Sequence, residues 1–392
     1  MVLETNFNIL IKRLNIAISQ YYKTKSKSER LALDIYIKSL RKEIKNLVPK
    51  LKNLNDNFCY TPNLQKELFE DEETYLDQYY MYNEFHKHFF EPIYKKLSHQ
   101  YGTICDLERP KLTNIDDIDI YKLFEKFAQT IGLGDLFVKY QDEKRIHFYE
   151  NSTSSDRKGF IIHNPINNTN DIFIRKDDYA IDVLITIAHE FGHAYEFITS
   201  KKNVKEYNNY YYGSFFLETI SMTFQELFID YLIEKNMLYS DAIYYKYLEH
   251  YYYDDIANAY IYSLIDQDNL LFGDLSPTEI YKIVNKYFSK NDKIKYHINN
   301  FLDKDIKNTY RYAYGKVFSM FLKEKIKNDG YKLDISEDFI KHNGESFDLK
   351  LLNRYNITPQ NYIELHKNET TKLKKICEYD LIEYKEKTYT KK

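Results

Sequence analysis

The sequence predicts a mainly α-helical protein with one small β-sheet, built as one large domain or two closely joined lobes. Three observations predict it. Only 10 glycines and 7 prolines punctuate 392 residues, too few to turn the hairpins of an all-β protein. Hydrophobic residues make up 43% of the chain, enough for a sizeable core and too many for a disordered one. Apolar residues recur at helical spacing over most of the length, and β-prone runs gather in one segment. The charges, 56 Lys and Arg against 59 Asp and Glu, leave a net charge of -3, which argues against a nucleic-acid partner held by neutralised phosphates. The 41 tyrosines and 25 phenylalanines, with no tryptophan, follow A/T-rich codons more simply than any function.

The first element is a helix with Phe7, Leu10, Ile11, Leu14 and Ile18 on one face. Charged and polar residues interrupt it, so it reads as neither a signal peptide nor a membrane span. A charged break at Lys23–Arg30 precedes a second helix carrying Ile37, Leu40, Ile44 and Leu47, which ends near Pro49. A third helical region, rich in Tyr and Glu, extends from about Leu64 to Tyr101. Its His86 and His88 point to different helix faces and make no metal pair. Cys105–Pro110 is a loop, and a helix over about Ile118–Ile131 closes at Gly132 and Gly134.

The texture then changes. Ile146–Tyr149, Phe160–His163 and Ile172–Ile174 are short β-prone runs, separated by the polar segments Asn151–Asp156 and Asn164–Asp171. After Asp178 the chain is almost wholly helical to its charged end, Glu383–Lys392. Cys59, Cys105 and Cys377 are too few and too scattered for a disulfide framework or a metal set. No run of 18 apolar residues occurs, so no membrane partner is expected and the expected location is the cytoplasm.

The chemistry concentrates in Ile181–Ala194, which contains His189-Glu190-Phe191-Gly192-His193. On a helix, His189 and His193 stand one turn apart on one face, where both imidazoles can reach one Zn²⁺. Glu190 is placed to take a proton from the attacking water and pass it to the leaving amine. Asp177 or Asp178 is the expected N-cap of this helix. A catalytic zinc needs a third protein ligand and an open position. Glu218 is the expected third ligand, a carboxylate within the apolar helix Phe215–Ile233. Ser221 and Gln225, at +3 and +7, are suited to orienting a ligand histidine, and Glu226 is less well aimed. Tyr310, Tyr312 and Tyr314 lie in a helical tract that could bring a phenol to a developing oxyanion.

These residues resemble the oligoendopeptidase F and thimet oligopeptidase family of zinc metallopeptidases. HEFGHA at His189–Ala194 resembles the family's zinc helix, and Glu218 with Ser221 resembles its third-ligand pattern. YRYAYGKVFSM at Tyr310–Met320 resembles its tyrosine tract, which implies an oxyanion-stabilising role for Tyr312. CDLERP at Cys105–Pro110, RKGFIIHNP at Arg157–Pro165 and FIKHNGESFDLKLLNRYNI at Phe339–Ile357 extend the similarity over roughly residues 101–370. The resemblance implies an N-terminal helical region, 1–100, shorter than in family members, and a catalytic zinc-peptidase domain, 101–392. A substrate cleft would lie between two helical lobes.

Gln225 stands where the family has a Glu, with Glu226 beside it. A family histidine falls at Asn300 or Phe301, making His297 the nearest candidate, and a second active-site tyrosine falls at Asp305, where Tyr310 could substitute. A strand edge, Ile172–Ile174 or Phe160–His163, would pair with an extended substrate, and His163 could face the cleft. The implied activity is zinc-dependent hydrolysis of peptide bonds in oligopeptides or unfolded segments, with one zinc per chain. The alternative is a peptide-binding or regulatory protein on the same scaffold.

Overall fold

The computed structural model describes residues 86–97, 110–149, 158–164, 169–203, 218–247, 276–287, 310–343 and 350–389, with Ile265 and scattered positions between 9 and 43. Contacts divide the chain into two units, Met1–His88 with Ala259–Tyr310, and Phe89–Asn258 with Arg311–Lys392. In the first unit Leu10, Ile37 and Leu40 of the two predicted stripes are buried. Helix Pro277–Tyr287 of that unit opens with a reciprocal cap. The Ser276 amide donates to Glu279 Oε2 at 2.9 Å, and the Glu279 amide to the Ser276 hydroxyl at 3.4 Å.

The second unit holds the sheet, the helix of His189, Glu190 and His193, and Glu218 on one frame of helices. Helix α1, Ile120–Thr130, is capped by Asp119, whose carboxylate accepts from the Lys122 amide at 3.0 Å. It ends as a Schellman motif: the Leu133 amide returns to Ala128 O at 2.7 Å and Gly132 takes φ +75°. Gly134 does not close this helix as expected. It opens the next one, α2, Gly134–Asp142, against Gln129, where a Cβ would stand 2.7 Å from Gln129 Cγ.

Strands β1 (Ile146–Tyr149), β2 (Gly159–Asn164) and β3 (Thr169–Arg175) form the sheet in the order β1-β3-β2. β1 runs parallel to β3 and β2 antiparallel to it. The ladder takes in Asn164 and Thr169–Asp171, which the polar composition assigned to a connecting segment. Asn170 is buried with Ile172 and Ile174 on the helix-facing side, so alternation holds through the polar residues. Ile172–Ile174 therefore lies in the central strand and offers no free edge; among the described strands the edges are β1 and β2.

Helix α3, Ala180–Asn203, crosses under this sheet. It starts later than the two aspartates expected to cap it. The Ala180 amide donates to Thr113 O at 3.0 Å, while the Asp177 carboxylate accepts from the Asp178 amide and from Arg175. Helices α4 (Thr219–Glu234), α5 (Tyr239–Tyr247), α6 (Tyr310–Asn328), α7 (Asp334–Asn343) and α8 (Pro359–Tyr389) follow. Among the described helices, α3 and α4 make the most extensive pairing. No helix among the described residues is long and apolar enough to cross a membrane. Cys59, Cys105 and the predicted Tyr79–Phe85 stretch lie outside the described residues.

Candidate metal centre

α3 is apolar almost all round because it is buried almost all round. Phe191 anchors one side, its ring 5.6 Å from that of Phe124, 5.5 Å from Phe137 and 6.0 Å from Tyr140. Four residues apart, His189 and His193 share another side, with ring centroids 5.0 Å apart. Between them Gly192 permits a backbone crossing: a Cβ there would stand 2.7 Å from Ser221 Cα and 3.1 Å from Ile220 O of α4. That approach sets the start of α4 against the histidines. Glu218 occupies the N-terminal boundary of α4, with φ −86° and ψ −1°, rather than its predicted interior position.

Glu218 Oε2 lies 3.2 Å from His189 Nε2 and 3.3 Å from His193 Nε2. The ligand atoms of all three residues fall within 4.8 Å of one another. The other ring nitrogens face polar groups. His189 Nδ1 is 3.3 Å from Gln225 Oε1, and His193 Nδ1 is 3.8 Å from Glu196 Oε2. Donation from Nδ1 leaves the Nε2 lone pair directed at the cluster. Ser221, expected to serve a histidine, instead donates its hydroxyl to Glu218 O at 2.9 Å and lies 3.3 Å from the Glu218 carboxylate.

The electrostatics are those of a tightly coupled buried group. Burial alone would raise the Glu218 carboxyl, but His193 and His189 hold it well below the usual carboxylate range. Burial would likewise lower His193, and Glu218 and Glu196 raise it well above an ordinary imidazole. Burial pushes the Glu190 carboxyl up, opposed by the two histidines and reinforced by Glu218. β2 passes directly over this carboxylate: a Cβ on Gly159 would meet Thr186 Cγ2 at 2.6 Å and Glu190 Oε1 at 2.9 Å.

The donor set fits zinc. Atoms about 2.0–2.1 Å from one tetrahedral zinc stand roughly 3.3–3.4 Å apart. The two Nε2–Oε2 separations, 3.2 and 3.3 Å, match that edge length. Two imidazoles and one carboxylate also leave the fourth position of such a site for water or substrate.

Gly315 brings α6 to the same place. A Cβ there would stand 2.9 Å from Glu218 Cβ and 3.0 Å from Met222 Sδ. Tyr312 precedes Gly315 by less than one turn of α6. The helix is described at Tyr310 and Tyr312, whose side chains lie outside the described residues, as does all of His297. His163 is placed on β2 opposite Asn170, and its side chain is likewise outside the described residues. Glu196 lies outside the HExxH pattern, although an acid three positions after His193 in an apolar helix is a signal in the sequence. Gly159 and Gly315 acquire meaning only from what packs on them.

A small sheet laid across a buried helix, with a His–His–Glu cluster where two helices cross, is the core of a helical peptidase-like fold. Solved structures agree. One assigned as oligoendopeptidase F from Bacillus anthracis superposes with a TM-score of 0.50 at 13% identity, covering 91% of this chain and 68% of that one. PZ peptidase A with an inhibitor gives a TM-score of 0.54 at 13% identity over 88% and 67% of the two chains. A second structure assigned as oligoendopeptidase F gives 0.52 at 13% identity over 97% and 74%. At this identity the likeness is one of fold. No protein-family model matches the chain, and no curated protein matches it in sequence.

Proposed function

We propose that this protein is a zinc-dependent endopeptidase that hydrolyses peptide bonds in oligopeptides or unfolded segments. The observation that carries the reading is that His189 Nε2 and His193 Nε2 each stand at tetrahedral-edge distance from Glu218 Oε2, with Glu190 on the next position after His189 in the same helix. One zinc per chain, held by these three atoms, would supply a Lewis acid for the scissile carbonyl and an acidified water. Glu190 takes the proton of the attacking water and returns it to the leaving nitrogen. Its burial favours the protonated form, which suits the second half of that task. The Tyr312 phenol donates to the oxygen that gains negative charge, with Tyr310 or His297 as a second donor. The outer edge of β2 receives the substrate as an added strand, so the main chain of the peptide, rather than its side chains, provides most of the registration.

The test is to purify the protein, measure its zinc and assay a quenched peptide library with and without Glu190→Gln. Cleavage that disappears in the variant while zinc stays bound supports the reading. Stoichiometric zinc with no cleavage of any peptide overturns it in favour of a peptide-binding protein.

A further inference from the structure

A second buried group of charges, which the proposed reaction does not use, joins α4, α5, α6 and α8. Lys316, Lys323 and Lys246 are buried, Lys323 completely, and so are Glu226, Asp230 and Glu369. Lys316 Nζ lies 2.6 Å from Glu226 Oε1. Lys323 Nζ lies 3.5 Å from Glu226, 3.8 Å from Asp230 and 3.2 Å from Glu369. Lys246 pairs with Asp230 and, at 2.9 Å, with Glu369. At the rim Lys327 stands 2.7 Å from both Asp230 and Glu234. Burial would lower the Lys323 ammonium, but Asp230, Glu226 and Glu369 hold it above the ordinary lysine value.

Charge pairs of this kind add little stability over well-packed apolar residues, because desolvation offsets their attraction. What they do supply is register. Along α4 and α6 the contacts come in the same order: Gly315 on Glu218 and Met222, Lys316 on Glu226, Lys323 on Glu226 and Asp230, Lys327 on Asp230 and Glu234. The two helices therefore run parallel, and the first contact is the candidate third ligand itself. Lys316 follows Gly315 directly, and Glu226 follows Gln225, the residue facing His189.

We infer that the Lys316–Glu226 ion pair is a positioning clamp that sets the first turn of α6, with Tyr312 on it, against the His189–His193–Glu218 cluster. The inference rests on the peptidase reading for its consequence in catalysis. The chain has no tryptophan, so Tyr312→Trp provides a single tryptophan that can be excited at wavelengths where tyrosine does not absorb. Cobalt bound at the cluster quenches it according to distance. Into this parent, Glu226→Leu with Lys316→Met removes one charge of each sign and leaves Lys246 and Lys323 balanced against Asp230 and Glu369.

The expected result is a melting temperature within about 5 °C of the parent, unchanged cobalt affinity, and at least half of the quenching lost. Hydrogen exchange over 310–316 rises by roughly tenfold while 219–226 is unchanged. Quenching and exchange equal to the parent's overturn the clamp. So does a melting temperature lowered by more than about 10 °C, which would make the pair a general staple. A parent that takes up no cobalt overturns the metal reading instead, and the exchange data still decide the clamp.

Discussion

Two charged clusters lie along α4, and they accommodate buried charge in opposite ways. At its start, the carboxylates of Glu218 and Glu190 meet His189 and His193, imidazoles that can take up either a proton or a metal ion. Two turns further on, Glu226 and Asp230 join Glu369 against the lysines Lys246, Lys316 and Lys323. The lysine cluster is complete within the chain. The imidazole cluster, which Glu196 also faces, reaches balance by protonating its rings, by neutralising a carboxyl such as Glu190, or by admitting a cation. A carboxylate matched by lysine is finished structure; one matched by histidine is left open to metal.

The contrast can be broken from either side, and the largest effect is expected at the imidazole cluster. Glu190→Gln should lower peptide cleavage by about 10³-fold or more, with zinc content unchanged by metal analysis. At the lysine cluster, Lys323→Met takes the one ammonium that Glu226, Asp230 and Glu369 share, leaves an excess of buried negative charge, and should cost about 3–5 kcal/mol in denaturant unfolding. It should also change acid behaviour. Burial would raise the Glu369 carboxyl, but Lys323 and Lys246 hold it down at about 2, and the lysines depress Asp230 in the same way. Both carboxyls are lower folded than unfolded. Their stabilisation is therefore present above about pH 4 and is lost as the pH falls from there toward about 2. Circular dichroism through an acid titration should show a higher unfolding midpoint in Lys323→Met.

Tyr312→Phe should reduce kcat by about 10²-fold, with zinc content and melting temperature unchanged; an unaltered kcat would remove Tyr312 from the proposed reaction. The smallest effect is structural. Gly192→Ala places a Cβ 2.7 Å from Ser221 Cα, so it should cost about 1–3 kcal/mol in unfolding free energy. It should also weaken zinc binding, because the same crossing positions Glu218.

Much of this was legible in the chain. The three β-prone runs became the three strands because short alternating segments between polar residues have few other ways to bury one face. His189, His193 and Glu218 stand together because helical period and an apolar setting leave such groups few alternatives to a shared partner. The order of the strands was not legible: Ile172–Ile174 looked like a usable edge, and pairing on both sides made it central. The lysine cluster was also hidden. Lys316 and Lys323 are seven residues apart on one face of α6, but lysine at helical spacing ordinarily marks a wet surface. Only the packing of α6 on α4 shows that this face is inside. Gly192 stands inside a helix, where glycine costs about 1 kcal/mol relative to alanine, whereas Gly159 and Gly315 take their meaning from what crosses them.

The central claim is that the imidazole cluster is a metal centre completed by Glu218. Competition of the metal-free protein with a chromophoric chelator, in the native sequence and in Glu218→Gln, tests it most directly. The account predicts one tightly bound zinc per chain, with affinity lowered by roughly a hundredfold or more when Glu218 is changed. A native protein that binds no zinc, or a Glu218→Gln variant that binds it equally well, would contradict the account.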